Sequence, residues 1–251
     1  ISYYNYGPDY EVTEGYWSHV PWMASVVGTV NNRAAQVDDI LSDGVMRPSR
    51  VAMLYTAPQE IWWPQGSFTD KRAAFLSMSH DYYQPDLVTE QQVRDGALRH
   101  YDALYVLDQF VSRDVQESIA AWVREGGLLW ACADAAVCDE YTEPYDLLDR
   151  LAGVKRDHSS AQKDELPFIP AEGETALPAH AVPPLGRSRE TIRPGVFTWE
   201  GATIRATYSD GHPAFAEKAV GKGKVVYSGH RVGLATSRRT VSKAETITTP
   251  G

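Results

Sequence analysis

The segment GGLLWACADAAVCDEY, Gly126 to Tyr141, carries the residues best placed for nucleophilic chemistry. An apolar run leaves a glycine pair, reaches Cys132 and breaks into small and acidic residues. In an α/β protein a nucleophile often stands at the sharp turn after such a strand. A thiol there needs a base or a field that favours the thiolate. His212 and His230 are the candidate bases. Nucleophile turns usually carry glycine two residues to either side, but here Trp130 and Asp134 hold those positions. The indole crowds an elbow and the carboxylate opposes a neighbouring thiolate. Cys132 and Cys138 are the only cysteines, too few for a disulfide scaffold or a zinc site, and their spacing is neither a redox nor a metal motif. Two buried, inert thiols are the plainer expectation.

The other polar motifs are weaker. GKGK (221–224) lacks the helix and the Ser or Thr that a phosphate loop requires, and Val225, Val226 and Tyr227 follow it. It reads as a turn before a strand. The histidines, including His80, His212 and His230, show no ligand spacing, so no metal site and no cofactor are expected. Asp139, Glu140 and Glu143 could form a glycosidase-type pair. Acids at a helix start more often meet the helix dipole. Trp62-Trp63 and Tyr82-Tyr83 offer flat aromatic faces that suit a sugar ring or, equally, another subunit, and in a loop bracketed by Pro58 and Pro64 an interface is favoured over simple core.

These residues need a scaffold. The chain has 251 residues, enough for one large domain or a domain with an extension. At 43% hydrophobic and 23% charged residues, it is expected to fold around a packed core. A net charge of −9 argues against nucleic acid, which needs a basic face. No apolar run is long enough to span a membrane. The first residues lack the pattern of a signal peptide, so the compartment stays open and any targeting signal is expected to lie outside the chain.

Residues 1–48 read as an aromatic extension followed by a linker helix, with Val30, Ala34, Val37 and Leu41 at helical spacing. RVAMLYT (50–56) reads as a buried strand and APQEIWWPQG as a loop. Ser67 and Asp70 resemble a capping box for a helix running to about Asp81, with Ala74, Phe75 and Met78 on one face. PDLVTE and EQQVRDGAL give a short strand and a short helix. DALYVLD is a strand, and Ser112 can cap a helix striped by Val115, Ile119, Trp122 and Val123. Gly126-Gly127 ends it and LLWACA begins the next strand, which completes a βαβ unit. EPYDLLDRLAGV gives a helix stopped by Gly153. Six of fifteen prolines fall between Asp157 and Pro194, which marks 157–194 as an insertion without a core element. VFTWEGATIRATYSDG reads as a hairpin turning near Glu200-Gly201, and EKAVGKGKVVYSGH as one turning at Gly221 and Gly223. The α/β domain is placed at 49–235 and a polar tail at 236–251.

The order RVAMLYTAPQEIWW, YDALYVLDQFVSRDVQESIAAWVREGGLLWACADAAVCDEY and GKGKVVYSGH resembles the trimerisation domain of family-42 β-galactosidases and related glycoside hydrolases, over about 50–230. The resemblance implies a class I glutamine amidotransferase-like fold: a flavodoxin-like, doubly wound, mostly parallel sheet, here with a C-terminal β-hairpin region. It also implies a non-catalytic domain that assembles subunits, as a trimer, and walls a neighbouring active site where carbohydrate binds. YYNYGPDYEVTEGYWS, with the helix after it, looks like the tail of an upstream catalytic barrel. True amidotransferases have Gly-x-Cys-x-Gly at the elbow and a His and Glu spaced by one residue late in the chain. Cys132 stands at the elbow position without either glycine, and His212 is followed by Ala214. Two rival readings remain at this level: a thiol-dependent amidotransferase or amidohydrolase using Cys132, and a carbohydrate-binding module.

Overall fold

The computed structural model describes residues 21–44, 48–80, 83–132, 134–157, 168–170, 196–208, 211–229 and 231. The chain divides into two units, Ile1–Pro48 and Ser49–Gly251. In the first, α1 (Pro21–Gln36) is followed by α2 (Asp38–Leu41). The expected linker helix therefore begins earlier, at a proline whose missing N–H costs nothing in a first turn. It breaks at Val37, which leaves helical geometry between the two.

The second unit runs β1 (Val51–Tyr55), α3 (Ala57–Trp62), α4 (Pro64–His80), β2 (Asp86–Thr89), α5 (Glu90–Arg94), a 3₁₀ turn (Ala97–His100), β3 (Ala103–Val106), α6 (Arg113–Glu125), β4 (Leu128–Cys132) and α7 (Leu147–Ala152). The β-rich remainder is β5 (Val154–Asp157), β6 (Phe168–Pro170), β7 (Val196–Trp199), β8 (Thr203–Tyr208), β9 (Pro213–Val220) and β10 (Gly223–Ser228). An eight-stranded sheet has the order β2-β1-β3-β4-β10-β9-β8-β6. The five strands from β2 to β10 are parallel, and β9, β8 and β6 continue the sheet antiparallel. This is the mostly parallel α/β architecture expected, with its antiparallel strands toward the C-terminus.

Side chains alternate across the sheet because successive Cβ atoms point to opposite faces. Ala52, Leu54, Leu104, Val106, Leu129 and Ala131 share one core with Val115, Ile119 and Val123 of α6 and Leu148 of α7. Met53, Trp130 and Cys132 face the other way, onto Ala74, Phe75 and Met78 of α4. Helices thus cover both faces, which is why the central strands read as continuous apolar runs. Full burial of a side chain such as Ile119 stabilises by roughly 1.5–3 kcal/mol.

Several local expectations are corrected. APQEIWWPQG is helical, because Thr56 accepts from the Gln59 N–H as an N-cap and Pro58 sits in the first turn. The next helix starts at Pro64, so Ser67 lies inside it instead of capping it. Ser112 occupies the N-cap of α6 without a side-chain bond. The Glu140 carboxylate takes the Arg113 N–H instead (3.0 Å). The expected VFTW–TIRATY hairpin does not form. Strand β7 pairs antiparallel with β5 in a separate two-stranded sheet, while β8 pairs with β9 and β6. The Glu200 N–H bonds to the Gly153 carbonyl at 2.7 Å, which ties the bend to α7 and parts the two strands. Residues 168–170, inside the expected insertion, form an edge strand. The rest of 158–195 and the tail lie outside the described residues, as do residues 1–20. The β9–β10 hairpin forms at Gly221 and Gly223 as expected.

Candidate functional site

In doubly wound sheets ligands bind beyond the carboxyl ends of the strands, where the strand order reverses. Here that point lies between β1 and β3, because the chain passes from β1 outward to β2 and then returns to the other side. Thr56 follows β1 and Asp108 follows β3. Both are fully buried. The Asp108 carboxylate accepts from the Thr56 N–H (3.1 Å) and lies 3.0 Å from its hydroxyl. Lys71 of α4 brings its ammonium to 2.9 Å from the same carboxylate. That ammonium also reaches Glu60 Oε1 at 3.1 Å and sits 4.6 Å from the Tyr55 ring centre. The buried Gln59 amide completes the packing. Its oxygen accepts from the N–H groups of Gln109 (2.8 Å) and Phe110 (3.3 Å), and its nitrogen donates to the Trp63 carbonyl (2.7 Å). The reversal point is therefore filled by the protein's own ion pair and hydrogen bonds.

A second ion pair stands nearby. Arg231 donates to Asp134 at 3.1 Å and lies 5.6 Å from the Trp63 ring centre. Burial works against this cation. The Asp134 carboxylate, with Cys132 and Asp70 close by, outweighs burial and holds the guanidinium above its ordinary range.

Cys132 is the last residue of β4 and is 1% exposed, among Met53, Ala74, Leu107 and Trp130. Trp130 stands on the same face, packed against Tyr105 at 5.2 Å and Phe215 at 6.5 Å between ring centres. Among the described residues, positive φ outside glycine occurs at Ala136 and Thr142, not at Cys132. The tight bend follows the cysteine instead: Ala135 N–H bonds to the Cys132 carbonyl, and Ala136 N–H to the Asp108 carbonyl, both at 2.7 Å. Asp134 is engaged by Arg231, and the Cys132 side chain is buried. His212 is exposed in the bend before β9, and β10 lies between β9 and β4. His230 and Tyr82 lie outside the described residues. Among the described residues no cluster of His, Cys, Asp and Glu could hold a metal ion. No helix there is long and apolar enough to cross a membrane.

The acidic motif has an architectural role. Asp139 is buried and accepts from the N–H groups of Tyr141 and Glu143, each at 2.9 Å, and from Arg113 Nε at 2.6 Å. Burial pushes its pKa up, and these donors more than reverse that, leaving it below the usual carboxylate range. With Asp139 holding the loop and Glu140 capping α6, the Glu140 carbonyl accepts from Trp62 Nε1 at 2.8 Å.

Several large apolar side chains of α3, the start of α4 and their flanks are exposed. Ile61 is 71% exposed and Trp62 52%, and Trp63, Phe68, Tyr55 and Tyr141 are also exposed. Tyr83 is exposed as well, beyond the end of α4. The tryptophans were legible in the sequence. Lys71, Asp108, Gln59 and Arg231 were not. The one available signal was an aspartate at a strand end, in YVLDQF.

No protein-family model matches the chain, and no curated protein matches it. Solved structures do. A GH42 β-galactosidase from G. stearothermophilus superposes with a TM-score of 0.59 at 18% identity, over 89% of this chain and 34% of that one. A β-galactosidase from Bacillus circulans sp. alkalophilus gives a TM-score of 0.60 at 13% identity, over 89% and 34%. An exo-β-1,4-mannosidase from Opitutaceae bacterium strain TAV5 gives 0.54 at 15%, over 91% and 37%. The chain shares its fold with part of these proteins and spans about a third of their length. The resemblance to family-42 β-galactosidases read from the sequence is thus matched in three dimensions, at the coverage a partial domain would give.

Proposed function

We propose that this chain is a non-catalytic assembly domain of a glycoside-hydrolase-like protein of the β-galactosidase type, and that it helps to shape a neighbouring active site. One observation carries the reading: an exposed aromatic surface stands on an edge whose ligand crevice is closed by the buried Lys71–Asp108 pair. A crevice filled in this way leaves little room for a substrate. The apolar face above it is of the kind that monomers rarely leave open. Large aromatics on a fixed backbone also lose little entropy on association. The shared fold with part of β-galactosidase chains supports the glycosidase context, and the trimer follows from the resemblance.

Sedimentation velocity tests the reading. The chain is expected to self-associate, and Ile61→Asp with Trp62→Ala is expected to leave a folded monomer with an unchanged far-ultraviolet spectrum. A chain that stays monomeric, or a double variant that assembles as well as the parent, would count against it.

The half-exposed indole of Trp62 also favours a second reading, a sugar-stacking surface, because its N–H is already taken by Glu140 and its ring is presented outward. Quenching of tryptophan fluorescence by galacto-oligosaccharides would support it, and a flat titration would sink it.

A further inference from the structure

At the other end of the sheet, where the parallel strands begin, lies an open groove of about 330 Å³. Arg124 at the end of α6, Arg150 of α7 and Lys218 of β9 line it, over a floor of Leu147, Leu151 and Val220. Three cations around one groove are conspicuous in a chain of net charge −9.

Their ordinary duties are already met by other groups. Cations near a helix C-terminus usually serve its free carbonyls. Here the Trp122 carbonyl accepts from Gly127 N–H (3.1 Å), Val123 from Gly126 N–H (3.1 Å) and Arg124 from Lys222 N–H (2.9 Å). Nor are carboxylates shared evenly among the bases. Glu217 takes Arg205 and Lys224, and Glu200 takes Lys155. Arg150 holds Asp146 at 3.0 Å, with both side chains largely exposed. Among the described residues Arg124 and Lys218 make no ion pair within 4 Å, although Lys218, with Lys155, helps to hold the Glu200 carboxyl below its ordinary range.

The walls are fixed by glycines that tolerate no side chain. A Cβ on Gly153, at φ +71°, would stand 2.2 Å from the Glu200 carbonyl oxygen and 2.6 Å from Lys218 Nζ. A Cβ on Gly221, at φ +61°, would stand 2.5 Å from the Arg124 carbonyl oxygen. The bare Gly153 backbone leaves room for the Lys218 ammonium beside the end of α7, and the Lys222 N–H bond to the Arg124 carbonyl ties the β9–β10 turn to α6.

We propose that this groove binds a small organic anion, a phosphate or carboxylate carried on an apolar body. Guanidinium forks suit both anions, and the ammonium adds a point charge. The leucines and valine suit the body, and the volume is that of a small-molecule site.

The test is a titration of the ¹⁵N-labelled chain, followed by amide chemical shifts. Phenyl phosphate and phenylacetate are the two anionic probes, and benzyl alcohol is the neutral control. Saturable shifts confined to residues near 124, 147–151 and 218–220 are expected with at least one anion. The affinity is expected to drop at least tenfold in Arg124→Gln/Lys218→Gln, two surface changes that leave the remaining spectrum in place. Which anion binds more tightly distinguishes phosphate from carboxylate. Absent or scattered shifts, equal binding of benzyl alcohol, or unchanged affinity in the double variant would each overturn the proposal. Saturation by hexaglutamate but by neither small anion would also overturn it and assign the groove to an acidic protein segment.

Discussion

Lys71 places one ammonium among two carboxylates and a phenol ring, with 8% of its side chain exposed. Removing a buried partner strands the other charge, so Lys71→Met is expected to lower stability by about 3–5 kcal/mol in chemical denaturation. Adding Asp108→Asn should recover part of that loss, and a double-mutant cycle measures the coupling. Asp139 gives a pH prediction. Its folded pKa lies below that of an unfolded carboxylate, about 3.9. Its contribution is therefore complete above that value and is lost as pH falls through the folded pKa. Urea midpoints between about pH 5 and 2.5 should fall less steeply for Asp139→Asn than for the parent. Cys132, buried beneath α4, should resist iodoacetamide until the protein is unfolded. Rapid alkylation of native Cys132 below neutral pH would revive the thiol-enzyme reading. None of this polar network was legible in advance, because its members come from positions 56, 59, 60, 71 and 108, and only the fold brings them together.

Elements with strong periodicity were read well, and those governed by local caps or distant pairing were not. The stripe of α6 predicted its buried face, since Val115, Ile119 and Val123 are all fully buried. The two prolines flanking Trp62-Trp63 suggested a loop. Yet proline is at home in a helix's first turn, and here each proline opens a helix. The pairing of β7 with β5 was hidden for a different reason. Turn residues between two apolar runs signal a hairpin, and nothing local reveals that the first strand has a better partner some forty residues earlier in the chain. The glycine turn between β9 and β10 was read correctly, and it carries a prediction. A Cβ on Gly223 would stand 2.0 Å from the Val123 carbonyl oxygen and 2.3 Å from that of Gly127. Both obstacles are backbone, so Gly223→Ala should cost more than about 1 kcal/mol in a denaturation experiment.

At the scale of the molecule, the strand–helix–strand pattern along the chain pointed to the α/β class, and solved glycosidase structures share the fold over about a third of their length. The aromatic surface was legible only as clustered tryptophans. Its neighbours Ile61 and Phe68 look like core residues in sequence and are exposed in the fold. On the proposed assembly, copies carrying a net charge of −9 must approach through apolar faces. Added salt screens their repulsion and leaves the hydrophobic contact in force. Association measured by sedimentation should therefore strengthen between about 0.02 and 0.3 M sodium chloride, where an interface held by ion pairs would weaken.

The position of β10 has one more implication. It is the last of the described strands in chain order, yet it lies in the middle of the sheet, parallel to β4 on one side and antiparallel to β9 on the other. Until it emerges, the growing polypeptide lacks the strand that covers one edge of β4, the apolar run Leu128 to Cys132. Synthesis stalled before Gly223 would therefore expose a sticky ribbon to chaperones and to other nascent chains, and the arrival of β10 would close it.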